Sequence, residues 1–457
     1  MSEKSYQKWI ILLLQSSQAF MAAFYQTYFT SITSSVLKYY DMRQVEGWKV
    51  SMTATIFLLL NFPASLLSAY LVNRWGLRKT IVFGSILSFI GAWMRFAGFR
   101  SGNEMYFWIG FSGYVVGAVA PPFIVNTITQ LSNTWFPAQQ RTIATTLSSL
   151  LNVLGTGASF GISAALAGDA TYNNDLGMIG LLLLQALLSS ILLILVIAFF
   201  KDKKTTNIET SNSVSNEKGE IEESTLLIQK PMSTVEQLKS LAKNIPFWLL
   251  LISFSTGIGS LNCFLTELNS LVMPKNYLVT DVAYMGVSVI ASGVLGCFIF
   301  GTIAECTKWF KTILTFCSLI TMGCYVWFSI NLLSDRSEVT FIMAMCAVNI
   351  VGFCSVPTLP LILETATELT FPVAESYSSG LMLGIMSMTS AIFIFIAEAL
   401  KTTHTNPINH KTRVVSMQNS MWFLLSCYAL SVICLLLVKP NYKRMQHEKM
   451  KNETSIN

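Results

Sequence analysis

The sequence predicts an all-α polytopic membrane protein with twelve transmembrane helices, arranged as two six-helix bundles. Of its 457 residues 53% are hydrophobic and 12% are charged, whereas a soluble domain carries about 25% charged residues. Apolar runs of roughly 20 residues, the length that a helix needs to cross a bilayer, recur along the whole chain. Segments inside lipid must pair their backbone polar groups internally, so the spans are expected to be helices.

Each apolar run predicts one span. The spans are expected at 9–37, 50–72, 80–98, 107–135, 142–167, 176–200, 246–272, 281–304, 312–333, 339–365, 374–399 and 418–438. The segment between spans six and seven is polar and carries charges of both signs, so it cannot bury enough surface to fold alone. The predicted domains are an N-terminal bundle (1–200), a disordered cytosolic linker (201–245), a C-terminal bundle (246–438) and a basic cytosolic tail (439–457).

The distribution of Lys and Arg predicts the orientation. With the N-terminus inside, the cytosolic segments hold 20 of the 30 Lys and Arg residues. Cytosolic loops usually carry this excess, so both termini are expected in the cytosol. With Arg95, near the end of span three, counted in the outer segment that follows it, the cytosolic and outer segments account for all 30, so no Lys or Arg is expected deep within a span.

The two halves of the chain repeat each other. Ala69-xxx-Asn73 corresponds to Gly301-xxx-Glu305, 232 residues later, and each pair is followed by basic residues. The segment that begins at Trp135 corresponds to the one that begins at Thr370, 235 residues later. Parallel six-helix repeats around a central linker are the organisation of major facilitator transporters.

The loop between spans two and three resembles the major facilitator signature, Gly-xxx-Asp-Arg-x-Gly-Arg-Lys, which locks the two bundles on the cytosolic side. Its residues are Asn73, Arg74, Trp75, Gly76, Leu77, Arg78 and Lys79. Four of them match the signature, namely Arg74, Gly76, Arg78 and Lys79. Leu77 is an insertion, and Asn73 replaces the aspartate.

The second copy of this motif keeps an acid, Glu305, followed by Lys308. Glu305 is expected to face the start of span five, where a free helix N-terminus and Arg141 favour an acceptor. We therefore predict a cytosolic gate pair of Glu305 and Arg141. The alternative is that these charges only set the topology.

A narrower resemblance rests on Trp75-Gly-Leu-Arg, on residues 133–155 and on residues 368–376. These stretches are similar to the feline leukaemia virus subgroup C receptor-related family, including its disrupted-in-renal-carcinoma branch. The resemblance covers nearly all the spans. It implies transport of small organic molecules, with choline-like amines, pyridoxine and haem as the substrates of different branches.

Polar residues near the middle of the spans are the candidate substrate site, because these folds bind their substrates near the bilayer midplane. They are Tyr25, Gln26, Tyr28, Asn61, Asn126, Asn152 and Asn262. Tyr25 and Tyr28 lie three residues apart on one helical face, and an aromatic face attracts a quaternary ammonium group. Helix packing by the tyrosines and interhelical hydrogen bonding by the asparagines are the alternatives.

The family resemblance adds a substrate contact from an aromatic residue in this part of span one. It also implies an aromatic residue in span seven and a Gln in span five for the choline members. Here Asn262 and Val153 stand at those positions. This departure favours a hydrogen-bonding ring such as pyridoxine over choline.

The absence of a carboxylate at the midplane favours facilitated diffusion over proton coupling, because an intramembrane charge normally marks such a function. Glu267, near the outer end of span seven, is the best candidate coupling residue. The Pro121-Pro122 pair is expected to kink span four.

The predicted linker contains an acidic dileucine pattern, formed by Glu222, Leu226 and Leu227. Sorting adaptors read such patterns, so adaptors are candidate partners and the membrane is either plasma or endolysosomal, although a pattern this short also occurs by chance. The other expected partners are the lipid bilayer and a small-molecule substrate. A monomer is expected, with no nucleic acid and no cofactor.

The sequence therefore predicts a carrier of a small organic solute, a choline-like amine or a pyridoxine-like vitamin, that works by alternating access. A haem transporter, with Cys354 or Tyr25 as axial ligand, and a non-transporting receptor or sensor remain alternatives. An enzyme is not expected, because no nucleophile–base pair or metal cluster lies at the midplane.

Overall fold

The computed structural model describes residues 3–43, 46–168, 174–200, 234–370, 373, 375–405 and 413–439. Seventeen helices account for nearly all of them. Those of the N-terminal half are α1 (Glu3–Thr27), α2 (Thr33–Tyr39), α3 (Gly47–Trp75), α4 (Leu77–Phe96), α5 (Glu104–Ala118), α6 (Pro121–Val125), α7 (Ile128–Trp135), α8 (Ala138–Ala167) and α9 (Asn174–Phe199). Those of the C-terminal half are α10 (Thr234–Lys243), α11 (Ile245–Val272), α12 (Val279–Thr307), α13 (Phe310–Asn331), α14 (Glu338–Ser355), α15 (Thr358–Thr370), α16 (Glu375–Ala399) and α17 (Gln418–Leu437).

Eleven segments of the described chain are long and apolar enough to cross a membrane. The first predicted span is not among them, because α1 carries several polar side chains. These face inward and are paired: Gln15 donates to the carbonyl of Ile124, and Gln18 donates to Ser85. Since α1 packs along α8, we count it as the twelfth span of an all-α polytopic fold.

The bundle has two opposite faces, the linker face and the hairpin face. The linker face carries the turn at Gly76, and the described segments on either side of the predicted linker end there, at Phe200 and Thr234. The hairpin face carries a short antiparallel hairpin of β1 (Thr402–Thr405) and β2 (Arg413–Ser416), in which Thr402 pairs with Ser416. The sequence did not predict this hairpin. By the Lys and Arg distribution, the linker face is the predicted cytosolic one.

Three predicted spans are broken. Span four breaks before Pro121, as predicted, and again at Asn126. Span ten breaks at Pro357 and continues to Thr370, beyond its predicted end. The expectation of a continuous first span over 9–37 is wrong, because α1 ends at Thr27.

Hydroxyl groups explain the break in the first span. Thr30, Ser31 and Thr33 each donate to the carbonyl three residues earlier, with distances of 2.9–3.0 Å. Such side-chain bonds compete with the backbone bonds of a regular helix. A short 3-10 turn at Thr30–Ile32 therefore connects α1 to α2.

The predicted disordered linker ends earlier than expected. Residues 234–243, within its predicted range of 201–245, form α10. This helix is fixed to the bundle because Leu241 is buried against the C-terminal core and Trp248 donates to the carbonyl of Ala242. Residues 201–233 and the tail from 440 onward lie outside the described residues.

The two halves pack together at the hairpin face and separate at the linker face. Near the hairpin face one apolar core contains residues of both halves, for example Phe160 and Ile290. Toward the linker face the buried apolar residues form separate cores, with Ile81 and Phe200 in the N-terminal half and Phe247 in the C-terminal half. Among the described residues, the apolar core shared by the two halves therefore lies toward the hairpin face.

Candidate functional site

Five amide side chains lie in the middle of the bundle on five different segments. They are Gln26 at the end of α1, Asn61 in α3, Asn126 between α6 and α7, Asn152 in α8 and Asn262 in α11. Within the described residues, the middle third of every span lacks Asp, Glu, Lys, Arg and His. The middle of the path is therefore polar and uncharged.

These amides differ in how much of their hydrogen-bonding capacity is used. Asn152 donates to the carbonyl of Ala19 at 2.7 Å, and Asn262 donates to Ser390 at 3.3 Å. Asn61 accepts a bond from Ser65 in its own helix. Gln26 and Asn126, which are partly exposed and exposed, have no side-chain hydrogen bond to a described residue. The site therefore retains donors and acceptors that a polar solute can use.

Tyr25 and Tyr28 do not form an open aromatic site. Both are buried, and the guanidinium carbon of Arg95 lies 3.6 Å from the ring centroid of Tyr25. Arg95 also donates to the Tyr28 hydroxyl at 3.1 Å and to the side-chain oxygen of Gln185 at 2.8 Å. A third ring, Tyr114, lies 4.9 Å from the guanidinium carbon. We call these five residues the Arg95 cluster.

The Arg95 cluster corrects two expectations, that Arg95 belongs to a loop and that Tyr25 is open to a substrate. Arg95 lies in the last turn of α4 with 2% of its surface exposed, so it is a buried cation and not a loop residue. The face of Tyr25 that was predicted to receive a substrate cation already receives the cation of Arg95. The Tyr25 hydroxyl donates to the carbonyls of Gly113 and Tyr114, so it is not free to ligate haem iron either.

A second buried charged group lies at the hairpin face. Glu398 in α16 accepts a bond from the Ser51 hydroxyl at 2.7 Å and pairs with Lys401 Nζ at 2.5 Å. Glu267 in α11 lies 3.9 Å from the same Lys401 nitrogen. We call these four residues the Glu267 cluster. It spans the two halves, because Ser51 belongs to α3.

The signature loop forms a tight turn at the linker face. Gly76 ends α3 with a φ of 84°, a conformation that favours glycine over residues with a side chain. Arg78 donates to the carbonyl of Ile197 near the end of α9, and Arg74 donates to the Tyr70 hydroxyl. Lys79 is exposed. Asn73 lies in α3, but its side chain is not among the described parts.

The predicted gate pair is not formed in this structure. Arg141 is exposed and donates to the carbonyl of Phe136, and Glu305 is exposed near the end of α12. Lys308 ends that helix in a left-handed conformation with a φ of 58°. Because the halves are apart at this face, a pair between Glu305 and Arg141 remains a prediction for the opposite conformation. Glu222, Leu226 and Leu227 lie outside the described residues.

Comparisons with known proteins agree with this architecture. A sequence model of the Major Facilitator Superfamily matches residues 16–398. The choline/ethanolamine transporter flvcr2a of Danio rerio is 27% identical over 388 residues, covering 82% of this chain and 77% of the relative. The choline/ethanolamine transporter FLVCR1 of Mus musculus is 25% identical over 459 residues, covering 96% and 76%.

Two further similarities extend the comparison. Solute carrier family 49 member A3 of Danio rerio is 24% identical over 391 residues, covering 85% of this chain and 77% of the relative. The inward-open structure of the xylose transporter XylE from E. coli has a TM-score of 0.68 at 12% identity, covering 95% of this chain and 96% of that one. This last similarity shows a common fold.

Proposed function

This chain belongs to the major facilitator superfamily, and from that premise we propose that it carries an amino alcohol of the choline and ethanolamine class. As a member of this family it is a multi-pass membrane transporter and not an enzyme. The observation that carries the proposal is the uncharged group of amides in the middle of the spans, four from the N-terminal half and one, Asn262, from the C-terminal half. Relatives that are named choline/ethanolamine transporters support the same substrate class.

The chemistry of the amides fits such a substrate. An amide oxygen accepts hydrogen bonds from a hydroxyl group and from a primary ammonium group, and an amide nitrogen donates to a hydroxyl oxygen. Tyr25 and Tyr28 are occupied by Arg95, so recognition is expected to rest on hydrogen bonds at the amides more than on an aromatic cage. We therefore expect ethanolamine to be carried at least as well as choline.

The mechanism that we propose is facilitated alternating access. The two halves act as units that rock around the amides, so that the hairpin face opens when the linker face closes. A cation that crosses a path without midplane charge needs no proton exchange there. Its movement then follows its own gradient and the membrane potential.

The same proposal includes an orientation. The excess of Lys and Arg supports a cytosolic linker face, with both termini in the cytosol. Recognition by sorting adaptors at Glu222, Leu226 and Leu227 would place the protein in an endolysosomal membrane, and otherwise the plasma membrane is expected.

Uptake into proteoliposomes tests the proposal. The purified full chain is offered labelled ethanolamine, choline and pyridoxine at equal concentration, with and without a proton gradient. We expect saturable ethanolamine and choline uptake, and Asn262→Ala should reduce it about tenfold, because one lost hydrogen bond to a charged solute costs about 1.5 kcal/mol.

The matched control is Asn331→Ala. This amide ends α13 at the hairpin face and donates to the carbonyl of Thr340, away from the middle of the bundle. It should leave uptake unchanged. Transport of pyridoxine alone, or equal loss in both variants, would contradict the proposed substrate and site.

A further inference from the structure

We propose that the Glu267 cluster binds one proton from the hairpin face, and that this proton holds that face closed. The inference rests on the proposed alternating access but not on the identity of the substrate. It depends on three features of the cluster: its charge count, its position between the halves and the unequal partners of its two carboxylates.

The charge count is unbalanced. Two carboxylates, Glu267 and Glu398, share the single ammonium group of Lys401. The side chains of Glu267 and Glu398 are 1% and 8% exposed, and that of Lys401 is 13% exposed. Burying an uncompensated charge is costly, and a buried group neutralises instead. Two like charges that share one site cannot both ionise easily, so one proton balances the cluster.

The partners indicate which carboxylate takes the proton. Glu398 has the closer partners, because Lys401 Nζ lies 2.5 Å from one of its oxygens and Ser51 donates to the other. Glu267 has Ser51 and Glu398 nearby but no hydrogen bond of regular geometry among the described residues, and one of its oxygens lies 3.9 Å from Lys401 Nζ. The proton therefore adds to a carboxylate oxygen of Glu267 and converts it to the neutral acid.

Among the described residues, the elements packed around the cluster offer no second counter-ion. Cys263, one turn back on α11, is a titratable neighbour of Glu267, and Cys427 of α17 is in turn a neighbour of Cys263. On the elements that pack against α11, Lys38 of α2 is exposed and Asp281 of α12 is paired with Arg336. Lys49 of α3 is paired with Glu46 and Glu104.

The position of the cluster converts protonation into conformational control. The hydrogen bonds between the described residues of the two halves involve Ser51 with Glu398, and Asn269 with Ser31 and Ser34. All of them lie at the hairpin face. When the halves separate there, Ser51 leaves, water reaches the cluster, and the proton of Glu267 passes to water on that side.

The number of bound protons determines how opening of the hairpin face depends on pH. The closed state binds one more proton than the open state, so raising the pH favours opening of the hairpin face. The ratio of open to closed protein changes by at most about tenfold per pH unit, because one proton is released. The proton enters and leaves at the same face, so the device controls the rate of the cycle and leaves transport facilitative.

A labelling experiment in nanodiscs tests this without any substrate. Ser34→Cys places a thiol where its hydroxyl is buried between the halves. The full chain is treated briefly with N-ethylmaleimide between pH 5.5 and 8.5, and labelling at position 34 is quantified by mass spectrometry. Labelling at position 34 in the denatured protein at each pH serves as the reference, and the ratio of the native to the denatured value corrects for the intrinsic pH dependence of thiol reactivity.

We expect the labelling ratio to rise with pH in the Ser34→Cys protein. Glu267→Gln, which resembles the protonated acid, should keep the ratio low at every pH. Ser51→Ala should raise the ratio throughout and retain its slope, and Glu338→Gln, at an exposed carboxylate of the same face, should change nothing. A flat ratio in the parent protein, or an unchanged slope in Glu267→Gln, would overturn the proposal. An absence of choline or ethanolamine transport would not affect it.

Discussion

The Arg95 cluster and the Glu267 cluster are both buried charged groups at the hairpin-face end of the bundle. The first lies within one half of the chain, whereas the second lies between the two halves. Every member of the Arg95 cluster lies in the N-terminal half, on α1, α4, α5 and α9 or beside them. The Glu267 cluster joins α11 and α16 to α3 of the other half. The first is preserved when the halves move, whereas the second must break.

Burial and charge alone therefore do not identify the contacts that change between conformations. An isolated guanidinium is held by aromatic faces and neutral acceptors, which stabilise one bundle in every conformation. A carboxylate pair across the interface has different surroundings in each conformation, so its proton count can change.

Replacement of Arg95 should destabilise the fold. Arg95→Met leaves Tyr28 and Gln185 without their donor and removes the cation from the Tyr25 ring, so we expect a loss of about 2–4 kcal/mol of unfolding free energy. A fluorescence-monitored thermal melt in detergent measures it. Arg100→Met, at an exposed position of the same face, is the control. An Arg95→Met melt equal to that of the control would contradict a stabilising role.

Replacement of Lys401 should change conformation more than stability. Lys401→Met leaves two buried carboxylates with no ammonium group, so closure then requires two protons. The pH dependence of labelling at position 34 should steepen toward about a hundredfold per pH unit. If Lys401→Met retains the parent slope, the lysine is not the counter-ion of the pair.

Gly91 and Gly286 test contacts within one half and between the two halves, respectively. A Cβ at Gly91 would lie 2.7 Å from the Cα of Gly117, inside the N-terminal half, whereas a Cβ at Gly286 would collide with the Phe160 ring of the other half. Gly91→Ala should lower the unfolding free energy by about 1–3 kcal/mol. Gly286→Ala should instead raise labelling at position 34. The reverse pattern in melts and labelling would remove the distinction between fixed and moving contacts.

The smallest effect is expected at the linker face. Glu305→Arg should slow uptake by at most about fivefold, because an exposed ion pair contributes up to about 1 kcal/mol. Adding Arg141→Glu should restore the rate if the two residues pair when that face closes. Rates that fall further in the double variant would rule out the gate pair.

The sequence predicted the fold because each span is an apolar run with few alternatives. Pro121 also predicted its own break, since proline cannot continue a helix. The break after Thr27 was missed because it depends on hydroxyl bonds and on Asn269, which comes from the other half of the chain. Such a contact between distant segments leaves no local pattern.

The site was predicted only in part. The sequence indicates Glu267, because a carboxylate in an apolar run is unusual, but no local pattern marks Lys401 as its partner. Arg95 was missed because a cation near a helix end reads equally well as a loop residue. A Gln inside span six and two tyrosines three residues apart were the available signal, since both are groups that accept a guanidinium.

The side chain of Asn269, from the C-terminal half, pairs the backbone groups that the irregular end of the first span leaves open. Its amide accepts a bond from the backbone nitrogen of Ser34 and donates to the carbonyl of Ser31. It therefore replaces backbone hydrogen bonds that a continuous helix would form there. Once the halves part, both backbone groups need water as a replacement partner. Hydration of these two backbone groups is therefore part of the free-energy barrier to opening. The interruption of the first span sets how much water must enter before the halves can separate.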